Sequence, residues 1–348
     1  MGDNKNKKVI VGMSGGVDSS VSAYLLQKEG YEVEGIYMKL HARDDGYHEE
    51  NIANIEKVSK YLGIKYHILD LSEQFKKEVY DYFIQSYIDG VTPNPCVQCN
   101  KTIKFGALLE QMKTLKGDYL ATGHYAKTDG EFIYIADDIN KDQSYFLAQV
   151  DKEKLPFMMF PMSKYTKEEI KDIASKIPEF SHFAVKKESQ EICFVDTVYT
   201  DLLQKHTKID KQGDTLDING NVVGHHKGYM HYTIGKRKGF YVHGAHDPHF
   251  VLSTNKENNS ITVGKKEDLQ INKVRINSLN MYVNDLELSA DVKLRYRSQP
   301  TQCKVIICKD EAIIDLQESV YGVASGQFAV FYDGDKVLGS GIITSASK

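Results

Sequence analysis

Ser14-Gly15-Gly16-Val17-Asp18-Ser19 lies between an apolar run, Lys8-Val9-Ile10-Val11-Gly12-Met13, and a helical pattern that begins at Val17. Two glycines let backbone N–H groups turn toward an anion, and a helix N-terminus adds partial positive charge. Ser14 and Ser19 can donate hydroxyl hydrogen bonds to phosphate oxygens. Asp18 would repel phosphate, so it is expected to reach a bound Mg²⁺ or to order the loop. The plain alternative is a Gly-rich turn with a Ser/Asp helix cap. No G-x-x-x-x-G-K-[ST] occurs in the chain, so the γ-phosphate chemistry of that loop has no home here.

A second constellation is Pro93-Asn94-Pro95-Cys96-Val97-Gln98-Cys99-Asn100-Lys101. It sets two thiols three residues apart in a Pro-braced loop before a helix, where the helix N-terminus and Lys101 favour thiolate character. Zinc, an iron–sulfur cluster, a redox pair and a sulfur relay all fit that spacing. Cys193, in Ser189-Gln190-Glu191-Ile192-Cys193-Phe194, would by itself be a buried core cysteine more often than not. Five cysteines in 348 residues are odd in number and irregularly spaced, which points to a reducing compartment with thiols kept for chemistry.

The net charge is −4, so any nucleic-acid partner must be held by a local patch. Such a patch exists in the sequence. Between Ile218 and His246 there is no Asp or Glu, while Lys227, Lys236, Arg237 and Lys238 interleave with Tyr229, Tyr232, Phe240 and Tyr241. Lys293, Arg295, Arg297 and Lys304 form a second group around Tyr296. Cations with aromatics suit phosphate contacts plus stacking on unpaired bases. A solvated face on an ordinary β domain is the alternative.

These residues need elements to place them. Strand and helix patterns alternate from Lys8 to Gly123, which signals a Rossmann-like parallel sheet, an α/β domain covering residues 1–200. Residues 201–270 read as a small central α+β domain, and 271–348 as a β-barrel whose short strands are separated by turns such as Asp333-Gly334. No run of about 18 apolar residues and no apolar leader after Met1 is found, so the chain is expected to be soluble and cytoplasmic.

The phosphate loop resembles that of the N-type ATP pyrophosphatases, which adenylate a carbonyl or carboxylate oxygen and release pyrophosphate. Taken with the other segments, it resembles the tRNA-specific 2-thiouridylases, the MnmA family. The matching segments are Gly12 to Ser19, Asn94-Pro95 with Cys99-Asn100-Lys101, and Ala121-Thr122-Gly123-His124-Tyr125. Lys141-Asp142-Gln143-Ser144-Tyr145-Phe146-Leu147, Glu191-Ile192-Cys193-Phe194, Tyr232 to Gly239, Arg295-Tyr296-Arg297 and Ser325-Gly326-Gln327 continue them in family order.

The resemblance implies ATP with Mg²⁺ at Gly12, Met13, Ser14, Gly15, Gly16, Val17, Asp18 and Ser19, with Met38 and Gly123 on the adenine nucleotide. It makes Cys99 the catalytic thiol and Cys193 the persulfide carrier. Asn94, Pro95 and Cys96 would lie at the target base. His124, Lys141 to Ser144 and Gln327 would lie near the tRNA anticodon loop, with Lys236, Arg237, Lys238, Arg295, Tyr296 and Arg297 on the RNA surface. A cysteine desulfurase or sulfur-relay protein would supply sulfur. Many relatives hold Asp where this chain has Cys96. Cys96, Cys99 and Cys193 could therefore hold a [4Fe–4S] cluster with one iron open to sulfide, and cluster and persulfide relay compete. Other acceptors of the same fold, as in amidotransferases or argininosuccinate-type synthetases, would leave these cysteines without a task. A zinc-stabilised RNA-binding module with a vestigial phosphate loop is the non-enzymatic alternative.

Overall fold

The computed structural model describes residues 4–41, 45–184, 192–195, 197–244 and 246–348. Met1–Asp3 and the Ser189-Gln190-Glu191 stretch before Cys193 lie outside the described residues. Two compact units form. Met1–Val79, Cys96–Gln190 and Asp335–Leu338 make the first; Tyr80–Pro95, Glu191–Gly334 and Gly339–Lys348 make the second.

In the first unit, Lys8–Met13 (β1), Glu32–Lys39 (β2), Lys65–Asp70 (β3), Tyr119–Ala121 (β4) and Met158–Met159 (β5) pair in parallel in the order β3-β2-β1-β4-β5. A central parallel strand has helices on both faces, which is why β1 carries an unbroken apolar run and Val9, Ile10 and Val11 are fully buried. Val17–Lys28 (α1) follows β1, and Tyr47–Leu62 (α2) follows β2 and ends at Gly63 in the left-handed region. Val21, Leu26, Ile55 and Val58 from these helices join Val9 and Val11 in one core. Chain order reverses between β1 and β4, so their carboxyl ends flank the crevice where open α/β sheets take ligands.

One expectation is overturned here. The Pro-Asn-Pro-Cys stretch was to be a loop, but Pro95–Cys99 is already helical and runs on through a π-helical segment, Asn100–Ala107, into Leu108–Thr114. Pro95 takes the first helical position, where its fixed φ fits and its missing N–H costs nothing. Phe105 departs from helical geometry within the π segment (φ −107, ψ 15), and such insertions gather at functional sites.

The second unit carries the helix Asp81–Ile88, a five-stranded sheet and the barrel. The sheet runs Phe240–Val242, Val222–His226, Gly213–Leu216, Ser260–Gly264, Phe250–Asn255. At one of its turns Asp217 accepts hydrogen bonds from the N–H groups of Asn219 and Asn221 at 2.9 and 2.8 Å, the local bonding that makes Asp-Ile-Asn-Gly a turn. The barrel strands are Gln270–Met281, Glu287–Lys293, Thr301–Cys308, Glu311–Tyr321, Phe328–Asp333 and Lys336–Ser347, and the first closes on the last. Closure removes the sheet edges.

Its loop at Ser325-Gly326-Gln327 grips residues of the same unit. Thr92 N–H donates to Ser325 O at 3.0 Å, and Gln327 Nε2 donates to Thr92 O and Pro93 O at 3.0 and 3.1 Å. A Cβ on Gly326 would lie 2.2 Å from Val91 Cγ1, at φ +86, so only glycine fits. Gln327 thus anchors the backbone that leads into Asn94, Pro95 and Cys96.

Candidate active site

The phosphate loop leaves β1 at Met13. Gly15 has φ +78, and a Cβ there would sit 2.8 Å from Asn51 Oδ1 on α2, so both conformation and space demand glycine. Ser14 N–H donates to Ser19 Oγ at 3.1 Å, and Ser19 Oγ donates to Gly16 O at 3.2 Å. Ser19 is buried, while Ser14 is exposed. Of the two hydroxyls expected to meet phosphate, Ser14 is therefore the outward one and Ser19 shapes the loop. Gly16 gives α1 no side-chain cap, so the N–H groups of its first turn keep their capacity for an anion.

Asp18 is held by two distant side chains. Lys167 Nζ donates to both carboxylate oxygens at 2.7 Å, and Tyr125 Oη donates to Oδ1 at 3.0 Å. Lys167 is buried because it opens the helix Lys167–Ser175, which is fixed by a capping box between Thr166 and Glu169. Its own N–H donates to Asp138 at 3.1 Å. Sequence reasoning missed Lys167, and 149 residues separate it from Asp18. Gly123, just past β4, closes the crevice: a Cβ there would lie 2.9 Å from Asp18 Cβ and 3.0 Å from Ser19 N. Met38, half-buried near the end of β2, is two strands away from β4.

On the other side of Gly123, Thr122 Oγ1 and His124 Nδ1 lie 2.7 Å apart, and Lys104 Nζ lies 3.3 Å from His124 Nε2. An ammonium can only donate, so Nε2 accepts and Nδ1–H donates to Thr122. Burial, helped by the charge of Lys104, holds the imidazole well below its usual range, so His124 is neutral at pH 7. The same lysine faces Cys96. That thiol is accessible at its surface yet surrounded by enough protein for desolvation to push its pKa up, with Lys104 opposing. This reverses the expected thiolate character at Cys96. The helper is Lys104, not Lys101, whose ammonium donates to Gln149 Oε1 at 3.1 Å. A spacing of four residues through Cys96, Asn100 and Lys104 was the available signal.

Cys99 is buried, and Asn100 Nδ2 beside it donates to Phe146 O at 3.0 Å. Asp142 and Ser144 are buried too: Ser144 Oγ donates to Asp142 Oδ2 at 2.7 Å, and Ala136 N–H donates to Asp142 Oδ1 at 3.1 Å. Gln143 Oε1 accepts from Tyr125 N–H at 3.1 Å. Lys141 to Ser144 thus frame the turn that carries Tyr125 to Asp18.

In the second unit Cys193 is exposed, contrary to a core position, and its neighbour Phe194 packs on Phe83 with ring centroids 5.2 Å apart. Among the described residues no group of three or more His, Cys, Asp or Glu side chains is arranged to hold a metal ion. Cys96 and Cys99 stand three residues apart in the short helix Pro95–Cys99 and belong to the first unit, and Cys193 belongs to the second. No described helix is long and apolar enough to cross a membrane.

The basic surface is sorted by burial. Tyr229 and Tyr232 are buried, their hydroxyls donating to Ile88 O and Gly239 O, so neither stacks on a base. Lys236, Arg237 and Lys238 are all exposed, and Lys236 is tethered, donating to His231 O at 2.7 Å and lying over the Tyr232 ring. Arg295 Nη2 donates to Ile234 O at 3.2 Å, Tyr296 is half-buried and Arg297 exposed.

Because native His124 resists protonation while the unfolded residue titrates near 6.5, the unfolded state binds the extra proton as pH falls. Stability is therefore lost below about pH 6.5, by about 1.4 kcal/mol per unit until the folded pKa is reached. Denaturant unfolding at pH 7 and pH 5 should show that loss, and His124→Gln should flatten it.

A Rossmann-like parallel-sheet domain with a glycine loop at its switch point, together with a C-terminal barrel, defines an α/β class of nucleotide-binding architecture. Residues 7–197 match the family described as tRNA methyl transferase HUP domain, 200–265 its PRC-barrel domain and 267–343 the aminomethyltransferase beta-barrel domain. The tRNA-specific 2-thiouridylase MnmA 1 of Aliarcobacter butzleri is 61% identical over 97% of this chain and 99% of that protein. The MnmA of Sulfurimonas denitrificans is 55% identical over the same shares. The structure of the U34-tRNA thiolase NcsA from Methanococcus maripaludis, with its [4Fe-4S] cluster, aligns with TM-score 0.38 at 22% identity, covering 58% of this chain and 66% of that one. The chain belongs to the tRNA-specific 2-thiouridylase family, MnmA.

Proposed function

We propose that the chain is an ATP-dependent tRNA-uridine 2-sulfurtransferase acting on the wobble uridine in the cytoplasm. The observation that carries this is the loop Ser14–Ser19 set against Gly123 at the switch point, in a chain of this family. The C2 oxygen of uridine is a poor leaving group. Its attack on the α-phosphorus of ATP converts it to a bound adenylate, and pyrophosphate departs toward the uncapped first turn of α1. Lys167 neutralises Asp18 so that the loop accepts polyphosphate, and Mg²⁺ accompanies the nucleotide. Met38 and Gly123 line the adenine nucleotide through backbone.

Sulfur comes from a persulfide on Cys193, whose exposure suits loading by a desulfurase or relay protein. The terminal sulfur attacks C2 and AMP leaves. Cys99 thiolate then attacks Cys193 Sγ, frees the thiolated base and closes a disulfide. Alternatively Cys99 attacks first and releases hydrosulfide as the nucleophile. Either way a two-electron reductant must reopen the disulfide. Cys96 keeps its proton at neutral pH and is no nucleophile; with Asn94, Pro95 and His124 it flanks the target base. Lys141 to Ser144, Gln327, Lys236 to Lys238 and Arg295 to Arg297 serve the tRNA.

Purified protein given tRNA with an unmodified wobble uridine, MgATP, a persulfide donor and a thiol reductant should yield 2-thiouridine, AMP and pyrophosphate in equal amounts. AMP release without thiolated nucleoside would point to another acceptor chemistry. Absence of both would leave a binding module.

A further inference from the structure

The central sheet ends in the short strand Phe240–Val242, paired His226↔Phe240, His225↔Tyr241 and Gly224↔Val242. Gly224 permits this approach, since a Cβ there would lie 1.8 Å from Tyr241 O. Beside the strand is a groove of about 630 Å³ lined by Asp210, Gln212, His225, Lys227, Phe240 and Tyr241, a volume in the range of small-ligand sites. Tyr241 is 51% exposed. Its ring lies 5.4 Å from that of His225 at 38° and 4.9 Å from that of His243 at 89°, so His225 and His243 buttress the Tyr241 ring, His243 edge to face. The one acidic lining group is already engaged: Asp210 accepts from His231 at 2.7 Å and from Gln204 at 3.1 Å. Lys227, Arg237 and Lys238 are exposed, in the stretch from Ile218 to His246 that holds no acidic residue.

Burial has removed Tyr229 and Tyr232 from any stacking role, and it leaves Tyr241 as the outward aromatic of that stretch. One exposed ring beside exposed cations fits a base on Tyr241 and its phosphate at Lys227, on the side away from Asp214, the cross-strand partner of His225. An aliphatic peptide anchor would need an apolar cup, and only Phe240 and Tyr241 supply apolar lining. We propose that this groove holds one unstacked nucleotide of the tRNA, separate from the uridine that is thiolated, with its base on Tyr241 and its phosphate near Lys227. The proposal rests on the tRNA assignment made above.

The test compares wild-type protein with Tyr241→Ala, Tyr241→Phe and Lys227→Ala in tRNA binding over a salt series and in 2-thiouridine formation. Loss of one base stack should weaken tRNA binding about tenfold. Tyr241→Ala should show that loss as a higher KM for tRNA with kcat and salt slope unchanged, and Tyr241→Phe should restore wild-type affinity. Lys227→Ala should lower the magnitude of the salt slope by about one. Wild-type affinity in Tyr241→Ala, with wild-type protein thiolating normally, overturns the groove and leaves the tRNA assignment standing. Wild-type protein that neither binds nor thiolates tRNA overturns both. Equal losses in Tyr241→Phe and Tyr241→Ala would reduce Tyr241 to a hydroxyl contact and overturn the stack.

Discussion

Lys167→Met protein is expected to lose at least about a hundredfold in tRNA-dependent AMP formation, equivalent to about 2.7 kcal/mol. The buried ammonium holds both oxygens of Asp18. Without it a carboxylate faces the incoming polyphosphate with only the Tyr125 hydroxyl to moderate it. Breaking a fully buried pair costs about 3–5 kcal/mol of stability. Asp18 is 32% exposed, so solvent screening should reduce that to about 2 kcal/mol. The double variant Asp18→Asn with Lys167→Met removes the uncompensated charge, and it should regain most of the stability and ATP affinity. AMP transfer should stay low because the loop has lost its anchor. Denaturant melts and ATP titrations of the four proteins form the double-mutant cycle. Additive effects would show that Lys167 does not act through Asp18.

The cysteines should separate adenylation from sulfur transfer. Cys99→Ser and Cys193→Ser are each expected to leave the adenylation step, read as pyrophosphate released in a single turnover, within about threefold of wild type while 2-thiouridine falls by about a thousandfold, because serine cannot carry or attack a persulfide at neutral pH. Cys96→Asp should behave differently. Its thiol is held high by burial and carries no sulfur in the relay. Thiolation by Cys96→Asp should persist in air with iron chelated and a persulfide donor present. Activity that returned only after anaerobic cluster reconstitution would sink the relay.

Local signals served well where one segment contains its own instructions. Residues 9–13 are apolar without a break because both faces of a central strand are covered, and the glycines after them mark the turn. The barrel strand Thr301–Cys308 alternates inward and outward residues, and Phe328–Asp333 stops at Asp333-Gly334. Legibility failed where a residue answers to a distant one. Nothing near Lys167 announces that it belongs to Asp18. Pro95 looked like a brace in a loop because two prolines flank Asn94, yet a proline also opens a helix, and the choice depends on what packs afterward. Tyr229 and Tyr232 resembled stacking residues until the backbone supplied acceptors for their hydroxyls, as buried tyrosines require. Ser19 likewise spent its hydroxyl on the loop itself.

The grip of Gln327 on Thr92 and Pro93 has a consequence for the birth of the protein. The two ends of that contact are 235 residues apart. At synthesis rates of about 5–20 residues per second, the stretch ahead of Cys96 waits roughly 12–47 s before its partner has been made. A nascent chain can assemble the phosphate loop early, from residues all encoded before position 170. The run into the cysteine helix is fastened only once Gln327 has emerged, so a chain halted earlier in the barrel carries the loop residues but leaves that stretch untied.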